Sequence, residues 1–519
     1  MTRHLTVARC LTIALAATLL VMAASVNAQA RPSGPDDRRS VRIDQGVLRG
    51  QVVSGVRQFL GIPYAAPPVG DRRWTAPQEA PGWRGVRDAT RFAPHCAQRA
   101  TAFGVASTSE DCLYLNVYTP TRQTPHPAPV IVWIHGGSLV TGESDDYDPR
   151  GLVDEGALVV TVNYRLGALG FLTTSTLAGE DGGRAGNYGL MDQQQALRWV
   201  QHNIERFGGD PHNVTIAGES AGGLSVLSHI TSPAAKGLFH RAIVQSGMYA
   251  HNQGTQAEAE QTGATFATAV GCPDQDTTCL RDVPVADLLA AQATGYVPHV
   301  DGRIVPRTID EALTTGRFNR VPVLNGSNHD EWRLIVAIVN ILSGNPVTPE
   351  NYKDQFGVGP VIAELIAAEY PLSDYDSPAL AVGAVGTDFT YACSALSANR
   401  RFAQHVATYA YEFNDPQAPQ VYLPSAGDDF PYGSAHASEL QYLFGMSNVA
   451  YPATLDRRQQ RLADPMQRSW VRFARTGAPG WPRFTARTEQ VRNLAPSGPA
   501  VTRDFDAQHH CGFWALLGG

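Results

Sequence analysis

The feature that most constrains this fold is a serine flanked by glycines, lying between a strand signal and a helix signal. A short β-branched run, Asn213–Ala217, leads directly into Gly218-Glu-Ser-Ala-Gly222, after which the sequence is compatible with a helix. The G-x-S-x-G pattern alone is common, but this context is the one that a tight strand-to-helix turn requires. A side chain two residues before or after the serine would clash in such a turn. The pattern therefore predicts that Ser220 is presented as a nucleophile at the end of a strand.

Short apolar runs alternate with helical patterns along most of the chain. We expect strands at six runs: Pro129–Ile134, Ala157–Val162, Val214–Ala217, Ala242–Gln245, Val321–Leu324 and Tyr409–Phe413. Met191–Phe207 has apolar residues near helical spacing, and the glycines at 208 and 209 end it. Unalternating strands between helices predict an α/β fold, with a central, mostly parallel sheet flanked by helices. Residues 253–320 and 343–400 are expected to be helical insertions.

The N-terminus has the pattern of an export signal. A basic start is followed by an apolar run, Leu11–Ala24, and by small residues around Ala28-Gln-Ala30. The run is too short to span a bilayer of about 30 Å stably, and no later run reaches that length. We therefore expect a signal peptide at residues 1–30 and a single domain at 31–519. The mature chain is expected to be secreted or periplasmic, with no stable membrane span.

Cysteine usage agrees with export. Without Cys10, six cysteines remain, and an even number in an exported chain favours disulfides. The pairs Cys96–Cys112 and Cys272–Cys279 would close short loops, which leaves Cys393 and Cys511 to pair with each other. No histidine lies at zinc-ligand spacing from a cysteine pair, so no metal site is expected. The net charge of −7, without a basic stripe, also argues against a nucleic-acid partner.

A second glycine-rich loop lies upstream of Ser220. His135-Gly-Gly-Ser138 follows a predicted strand, and its backbone N–H groups must approach a substrate closely. We expect the amides of Gly137, Ser138 and Ala221 to form an oxyanion hole. His135 itself is interpreted as a structural wall of the loop.

Two further segments carry candidate partners for the serine. His436 lies among small residues in Gly433–Leu440, where a loop can carry an imidazole to Ser220. Asp330 and Glu331 follow a strand end, where catalytic loops are often found. Spacing alone does not choose between these two carboxylates.

Several ordered blocks carry a resemblance to a known family. They are Gly61–Gly70, Glu110–Val117, Asn163–Gly167, Gly186–Asp192, Phe207–Pro211, the segment around Ser220, and Phe239–Gly247. From about Val47 to Trp514 the chain resembles the type-B carboxylesterase/cholinesterase family of α/β-hydrolases.

The resemblance implies an α/β-hydrolase fold, a Ser-His-Glu triad and no cofactor. The family's acidic residue maps onto Glu331 and its histidine onto His436. Its three disulfides map onto the three cysteine pairs. Glu219 resembles a family residue that adds negative potential beside the nucleophile, although structural support is an equally good interpretation. Ser246 resembles a residue near the same network and is interpreted as structural.

The expected function is a serine carboxylesterase that hydrolyses small-molecule esters through an acyl-enzyme. The first disulfide loop has Phe103 as its only aromatic residue, which argues against choline esters. Gln292 and Thr294 stand where bulky acyl-pocket residues would narrow the site, which predicts a roomier acyl side. Glu219, Trp332 and Arg333 are substrate-pocket candidates, and Arg333 either binds an anionic ester or forms a structural salt bridge.

Two alternatives remain open at the level of the sequence. The first is a hydrolase for a specialised ester, such as a toxin, a polyester or an anionic ester. The second is a binding protein that keeps a cholinesterase-like fold without catalysis, and the retained Ser220, Glu331 and His436 argue against it.

Overall fold

The structure, a computed structural model, describes five stretches of the chain: 39–122, 125–292, 295–427, 429–498 and 500–518. The predicted signal peptide, residues 1–30, lies outside them. The described residues from Val41 onward form one compact unit.

Fourteen strands are present in the described stretches. They are β1 (Ser40–Ile43), β2 (Gly46–Arg49), β3 (Gln51–Val53), β4 (Val56–Pro63), β5 (Val86–Asp88), β6 (Tyr114–Pro120), β7 (Ala128–Ile134), β8 (Leu158–Val162), β9 (Gly209–Glu219), β10 (Arg241–Gln245), β11 (Val323–Asn328), β12 (Thr408–Phe413), β13 (Val491–Leu494) and β14 (Ala500–Thr502).

Sixteen α-helices accompany them in the same stretches. They are α1 (Arg150–Asp154), α2 (Gly167–Phe171), α3 (Ser175–Glu180), α4 (Tyr188–Asn203), α5 (Ala221–Thr231), α6 (Gln256–Ala269), α7 (Thr277–Asp282), α8 (Val285–Ala291), α9 (Ile309–Thr315), α10 (Arg333–Val336), α11 (Pro360–Glu369), α12 (Pro378–Thr387), α13 (Cys393–Phe402), α14 (Arg457–Thr476), α15 (Phe505–Gln508) and α16 (Cys511–Leu516).

An 11-stranded sheet runs through the centre of the molecule in the order β14-β13-β12-β11-β10-β9-β7-β8-β6-β4-β3. The seven strands from β13 to β8 are parallel to their neighbours, and the strands at both edges are antiparallel. A separate three-stranded sheet has the order β1-β2-β5. The mostly parallel sheet flanked by helices confirms the predicted α/β class.

The central strands are buried because helices cover both faces of the sheet. Every residue of β7, β8, β11 and β12 is buried. Continuous apolar runs such as Val130–Ile134 are therefore favoured over alternating ones. All six predicted strand runs fall on strands of this sheet; some ends coincide and the others are shifted by up to five residues.

The predicted helix over Met191–Phe207 is two elements in the structure. Helix α4 begins at Tyr188, and a 3₁₀ turn over Ile204–Phe207 completes it. Gly208 ends the segment with a φ of 95°, a conformation that glycine adopts without strain. The two predicted insertions are helical: the first contains α6 to α9, and the second contains α11, α12 and most of α13, which ends at Phe402.

All three cysteine pairs form disulfides in the structure: Cys96–Cys112, Cys272–Cys279 and Cys393–Cys511. In the described part of the chain, one helical stretch, Pro378–Phe402, has the length and hydropathy of a membrane span. Its apolar window is 78% buried within the protein, as in a core helix.

Candidate active site

Ser220 lies on the tight turn that joins β9 to α5. Its backbone has a φ of 54° and a ψ of −120°, a strained conformation for a residue with a side chain. A Cβ on Gly218 would come within 2.5 Å of the backbone of Gly222, and a Cβ on Gly222 would come within 2.0 Å of the Ile134 carbonyl oxygen. The glycines are therefore required by close backbone approach, as the sequence pattern predicts.

The candidate residues meet at one edge of the sheet. Parallel strands end at the same edge, and β11, β10, β9 and β7 lie side by side in that order there. The glycine-rich loop follows β7, Ser220 follows β9, Ser246 follows β10 and Glu331 follows β11. Ligands bind at this carboxyl edge in open α/β sheets.

Glu331 and His436 form a short, buried contact. The Glu331 Oε2 atom lies 2.6 Å from the His436 Nδ1 atom. The other carboxylate oxygen of Glu331 accepts hydrogen bonds from the Ser246 hydroxyl at 2.5 Å and from the Asn328 backbone N–H at 2.8 Å. Both Glu331 oxygens are thus held by partners, and the imidazole is fixed in orientation.

The adjacent carboxylate, Asp330, has different partners. Its Oδ2 atom accepts the Ser434 backbone N–H at 2.9 Å, and its Oδ1 atom lies 2.8 Å from an Arg333 nitrogen. Of the two carboxylates that spacing could not separate, Glu331 is therefore the one in contact with His436.

The second ring nitrogen of His436 faces Glu219. Its Nε2 atom lies 3.2 Å from the Glu219 Oε1 atom. Burial by itself lowers the pKa of His436, but the carboxylates of Glu219 and Glu331 outweigh burial and raise this pKa to about 9. Burial also raises the pKa of Glu219 to about 8, and the charge of Glu439 adds to the shift.

A third buried carboxylate, Glu439, was not singled out by sequence reasoning. It accepts hydrogen bonds from the Asn328 side chain at 2.7 Å and from the Gln245 side chain at 2.9 Å. Glu439 lies three residues after His436, but nothing in that spacing separates a supporting carboxylate from an ordinary loop residue. The supporting role of Glu439 becomes visible only in the tertiary structure, because its hydrogen-bond partners come from β10 and β11.

The glycine-rich loop lies directly beside Ser220. A Cβ on Gly136 would come within 3.2 Å of the Ser220 Cβ atom. Gly137 and Ser138 have φ values of 93° and 55°, which turn the loop sharply here. Among the hydrogen bonds of the described residues, none has the backbone N–H of Gly137, Ser138 or Ala221 as its donor. These three amides, expected to form an oxyanion hole, are therefore available to a bound oxygen.

His135 supports this loop. Its Nδ1 atom lies 2.9 Å from the Gly136 carbonyl oxygen, and its ring stacks on Tyr164 with centroids 4.4 Å apart. Burial lowers the pKa of His135 to about 4, so the imidazole is neutral at physiological pH. This agrees with the interpretation of His135 as a structural wall.

A cleft of about 180 Å³ opens above Ser220 and His436. Its walls are mostly aromatic and aliphatic: Phe103, Tyr147, Tyr249, Tyr391, Tyr422, Leu334, Ile335 and Ile338. Of these, sequence reasoning had singled out only Phe103, which packs on Tyr422 with ring centroids 5.0 Å apart. The other wall residues come from segments that are distant in the chain, and no motif marks them.

The remaining pocket candidates lie around the cleft. Arg333 pairs with Asp330 and donates to the Pro431 carbonyl oxygen at 3.1 Å. Trp332 packs near Tyr391, with ring centroids 6.3 Å apart. Within the part of the chain that the structure describes, neither side chain lines the cleft.

Of the two residues expected on the acyl side, Gln292 and Thr294, the structure describes only Gln292. The Gln292 side-chain oxygen accepts the Ala168 backbone N–H at 3.0 Å, and Gln292 is buried. Thr294 lies outside the described residues. The roomier acyl side therefore stays a prediction.

Comparisons with known proteins identify the family of this chain. A family model described as "Carboxylesterase family" matches residues 37–514. An acylcarnitine hydrolase of Mus musculus is 35% identical over 89% of this chain and 87% of its own length. A fumonisin B1 esterase of Sphingopyxis macrogoltabida is 35% identical over 88% and 86%, and a para-nitrobenzyl esterase of Bacillus subtilis (strain 168) is 33% identical over 87% and 94%.

The sheet order, the Ser220 turn and the loops at the carboxyl edge define an α/β-hydrolase. With a match over nearly the whole chain, the protein belongs to the carboxylesterase family and is a carboxylic ester hydrolase.

Proposed function

We propose that this protein is an exported serine carboxylesterase with a Ser220-His436-Glu331 triad. The single observation that carries the triad is the 2.6 Å contact between Glu331 and His436, with the imidazole and Ser220 lining the same cleft. An imidazole held by a buried carboxylate is the orienting arrangement that a serine nucleophile requires.

The reaction follows from these positions in two halves. His436 accepts the Ser220 proton through Nε2 as the Ser220 oxygen attacks the ester carbonyl carbon. The carbonyl oxygen becomes an oxyanion, which the amides of Gly137, Ser138 and Ala221 stabilise by hydrogen bonds. His436 then gives its proton to the departing alcohol oxygen, and the acyl group stays on Ser220.

Water completes the cycle by the same groups. His436 takes a proton from a water molecule, whose oxygen attacks the acyl carbon. Collapse of the second tetrahedral intermediate breaks the bond to Ser220, and the serine oxygen recovers the proton from His436. The products are a carboxylic acid and the free enzyme, and no cofactor enters the scheme.

The cleft walls favour an uncharged, apolar ester. Five aromatic and four aliphatic side chains, the latter including Ala437, make up most of the lining, and Glu219 is the carboxylate among the lining residues that the structure describes. An anionic ester would need a free cation, whereas the nearby guanidinium of Arg333 is paired with Asp330. The relatives named for acylcarnitine, fumonisin B1 and para-nitrobenzyl esters suggest that the family adapts one site to many esters.

Export of the mature chain, beginning near residue 31, is part of the proposal. Three disulfides tie the chain, and disulfides persist in oxidising compartments. The signal pattern in residues 1–30 points to the same destination. We place the protein in the periplasm or the medium.

The test is kcat/KM of the purified mature protein on p-nitrophenyl esters of increasing acyl length, beside Ser220→Ala. We expect the variant to lose activity by about 10⁴-fold or more, because the acyl-enzyme cannot form. The dependence on acyl length would report the size of the cleft.

Ser175→Ala serves as the matched control, since Ser175 is exposed at the start of α3. Activity that survives in Ser220→Ala would show that the nucleophile is another residue. Absence of activity in the parent protein would favour a specialised ester or a binding role.

A further inference from the structure

Two histidines and a glutamate, His329, Glu412 and His509, meet at a second site outside the cleft. The Glu412 Oε1 atom lies 2.9 Å from the His329 Nδ1 atom and 2.7 Å from the His509 Nε2 atom. The three groups come from distant parts of the chain: the end of β11, the strand β12 and the segment after α15. No function described above uses them.

The site concentrates negative charge in the interior. The side chains of Glu412 and Asp388 are 1% and 6% exposed, and His509 lies between them. Asp388 contacts the His509 Nδ1 atom at 2.5 Å and accepts the Tyr370 hydroxyl at 2.9 Å. Two buried carboxylates need compensating positive charge. Either two imidazolium ions or one divalent cation supplies it.

The donor atoms have the chemistry of a zinc site. One oxygen from Glu412 and one nitrogen from each histidine all lie within 4.8 Å of one another. Imidazole nitrogens suit zinc, whereas calcium and magnesium prefer sites made of oxygen atoms. Ligand atoms at about 2.0–2.2 Å from a tetrahedral zinc lie roughly 3.3–3.5 Å apart, so small side-chain shifts would accommodate the ion.

Asp388 adds an outer support to the site. A metal-ligating histidine commonly donates its other ring N–H to a carboxylate, which fixes the ring and leaves one nitrogen for the metal. His509 has this arrangement, with Nδ1 on Asp388 and Nε2 facing Glu412. The His329 side chain is 38% exposed, which provides an entrance for the ion and room for a water ligand.

We propose that His329, Glu412 and His509 form a zinc-binding site, with Asp388 holding the His509 ring. The site joins the loop of the candidate catalytic acid to β12 and to the segment before Cys511, which is bonded to Cys393. Zinc there would fasten the C-terminal segment to the sheet and stabilise the folded protein. The proposal does not depend on the triad.

The experiment is a zinc titration of the mature protein, prepared without a histidine tag and stripped with a chelator. Competition with a fluorescent zinc indicator measures affinity and stoichiometry, and the visible absorption of added Co²⁺ reports the ligand geometry. We expect one tight zinc per chain and a higher thermal unfolding midpoint with zinc. His329→Ala should weaken zinc binding by at least about 10-fold.

Controls separate this site from adventitious binding. His202→Ala removes an exposed histidine at the end of α4 and should bind zinc as the parent does. Glu412→Gln keeps the shape of the glutamate while removing its charge, and it should also bind zinc weakly.

The proposal would be overturned if the parent protein, His329→Ala and Glu412→Gln all bound zinc with equal affinity. It would also be overturned if the parent protein bound no zinc tightly. In that case the two histidines are protonated, and their imidazolium ions compensate the charge of the buried carboxylates. Because zinc binding is measured without a substrate, its failure is distinct from a failure of the esterase proposal.

Discussion

Three buried carboxylates surround the His436 imidazole: Glu219, Glu331 and Glu439. Glu331 contacts Nδ1 directly and Glu219 faces Nε2. Glu439 adds negative charge nearby and accepts hydrogen bonds from Asn328 and Gln245. Negative charge on both sides of the ring favours the imidazolium that forms when His436 accepts the Ser220 proton. The same charge makes the His436 imidazolium of the resting enzyme harder to deprotonate, so it also sets the pH above which the neutral imidazole is available as a base.

Glu219→Gln tests this balance. His436 must be neutral to accept a proton, so kcat/KM is expected to fall as the pH drops below the His436 pKa, which is about 9 in the structure. Removing the Glu219 charge lowers that pKa, and the acidic limb should move to lower pH by about one unit or more. The measurement is the pH profile of kcat/KM on a p-nitrophenyl ester.

Glu364→Gln is the control, because Glu364 is exposed and pairs with Lys353 at the surface. An acidic limb at the same pH in Glu219→Gln and in the parent would show that Glu219 does not control the base. Its role would then be structural support, the other interpretation of this residue.

At the scale of secondary-structure elements, the turn between β9 and α5 depends on close packing against β7. Gly222 contacts the end of β7 so closely that a single added carbon would overlap the Ile134 carbonyl oxygen. The strained Ser220 backbone is stable only because these neighbours hold it. Precision at the site therefore depends on two strands and a helix, and not on the serine alone.

Gly222→Ala should move this turn. We expect destabilisation by roughly 1–3 kcal/mol, as for an overpacked interior, together with a lower kcat/KM. Thermal unfolding and ester hydrolysis measure the two effects.

Gly179→Ala is the matched control, since nothing lies within 4 Å of the added carbon in α3. It should be neutral, or stabilising by up to about 1 kcal/mol. If both variants unfold at the parent's temperature, the turn tolerates a side chain and the packing argument is wrong.

The buried parallel strands were predictable, and the peripheral strands were not. Runs such as Val130–Ile134 are apolar throughout because both faces of the sheet are covered. The edge strand β3 is mostly exposed, and β5 is only three residues long, so neither carries a hydrophobic pattern. Strands of this kind are defined by pairing with a neighbour, which a local pattern does not encode.

At the scale of the whole molecule, the disulfides connect the chain over very different distances. Cys272 and Cys279 are 7 residues apart, whereas Cys393 and Cys511 are 118 apart. In the chain-entropy model, a longer closed loop restricts the unfolded chain more. Cys393–Cys511 is also buried among apolar side chains of the C-terminal region, including Trp514.

Removal of each bond by a double Cys→Ser substitution should therefore differ in effect. Loss of Cys393–Cys511 is expected to cost about 4–5 kcal/mol, and loss of Cys272–Cys279 roughly 2.5 kcal/mol. Chemical denaturation under non-reducing conditions measures the order of the midpoints. A larger loss for the short loop would contradict the entropic argument and point to local packing around Cys272.

The sequence by itself determined the fold class, the cysteine pairs and the residues Ser220, Glu331 and His436 as candidates. These features are encoded locally, in apolar runs, in turns that need glycine, and in ordered blocks shared with a family. Even there, Asp330 and Glu331 were separated by the resemblance and then by contact with His436, not by spacing.

Only the tertiary structure decided what surrounds those residues. The cleft walls, the support from Glu439 and the His329-Glu412-His509 cluster join side chains from distant parts of the chain. Gln245 and Glu439, for example, are 194 residues apart. Such neighbours meet because the crossover connections bring the carboxyl ends of parallel strands to one edge. Which side chains then touch depends on packing in three dimensions, and no local pattern records it.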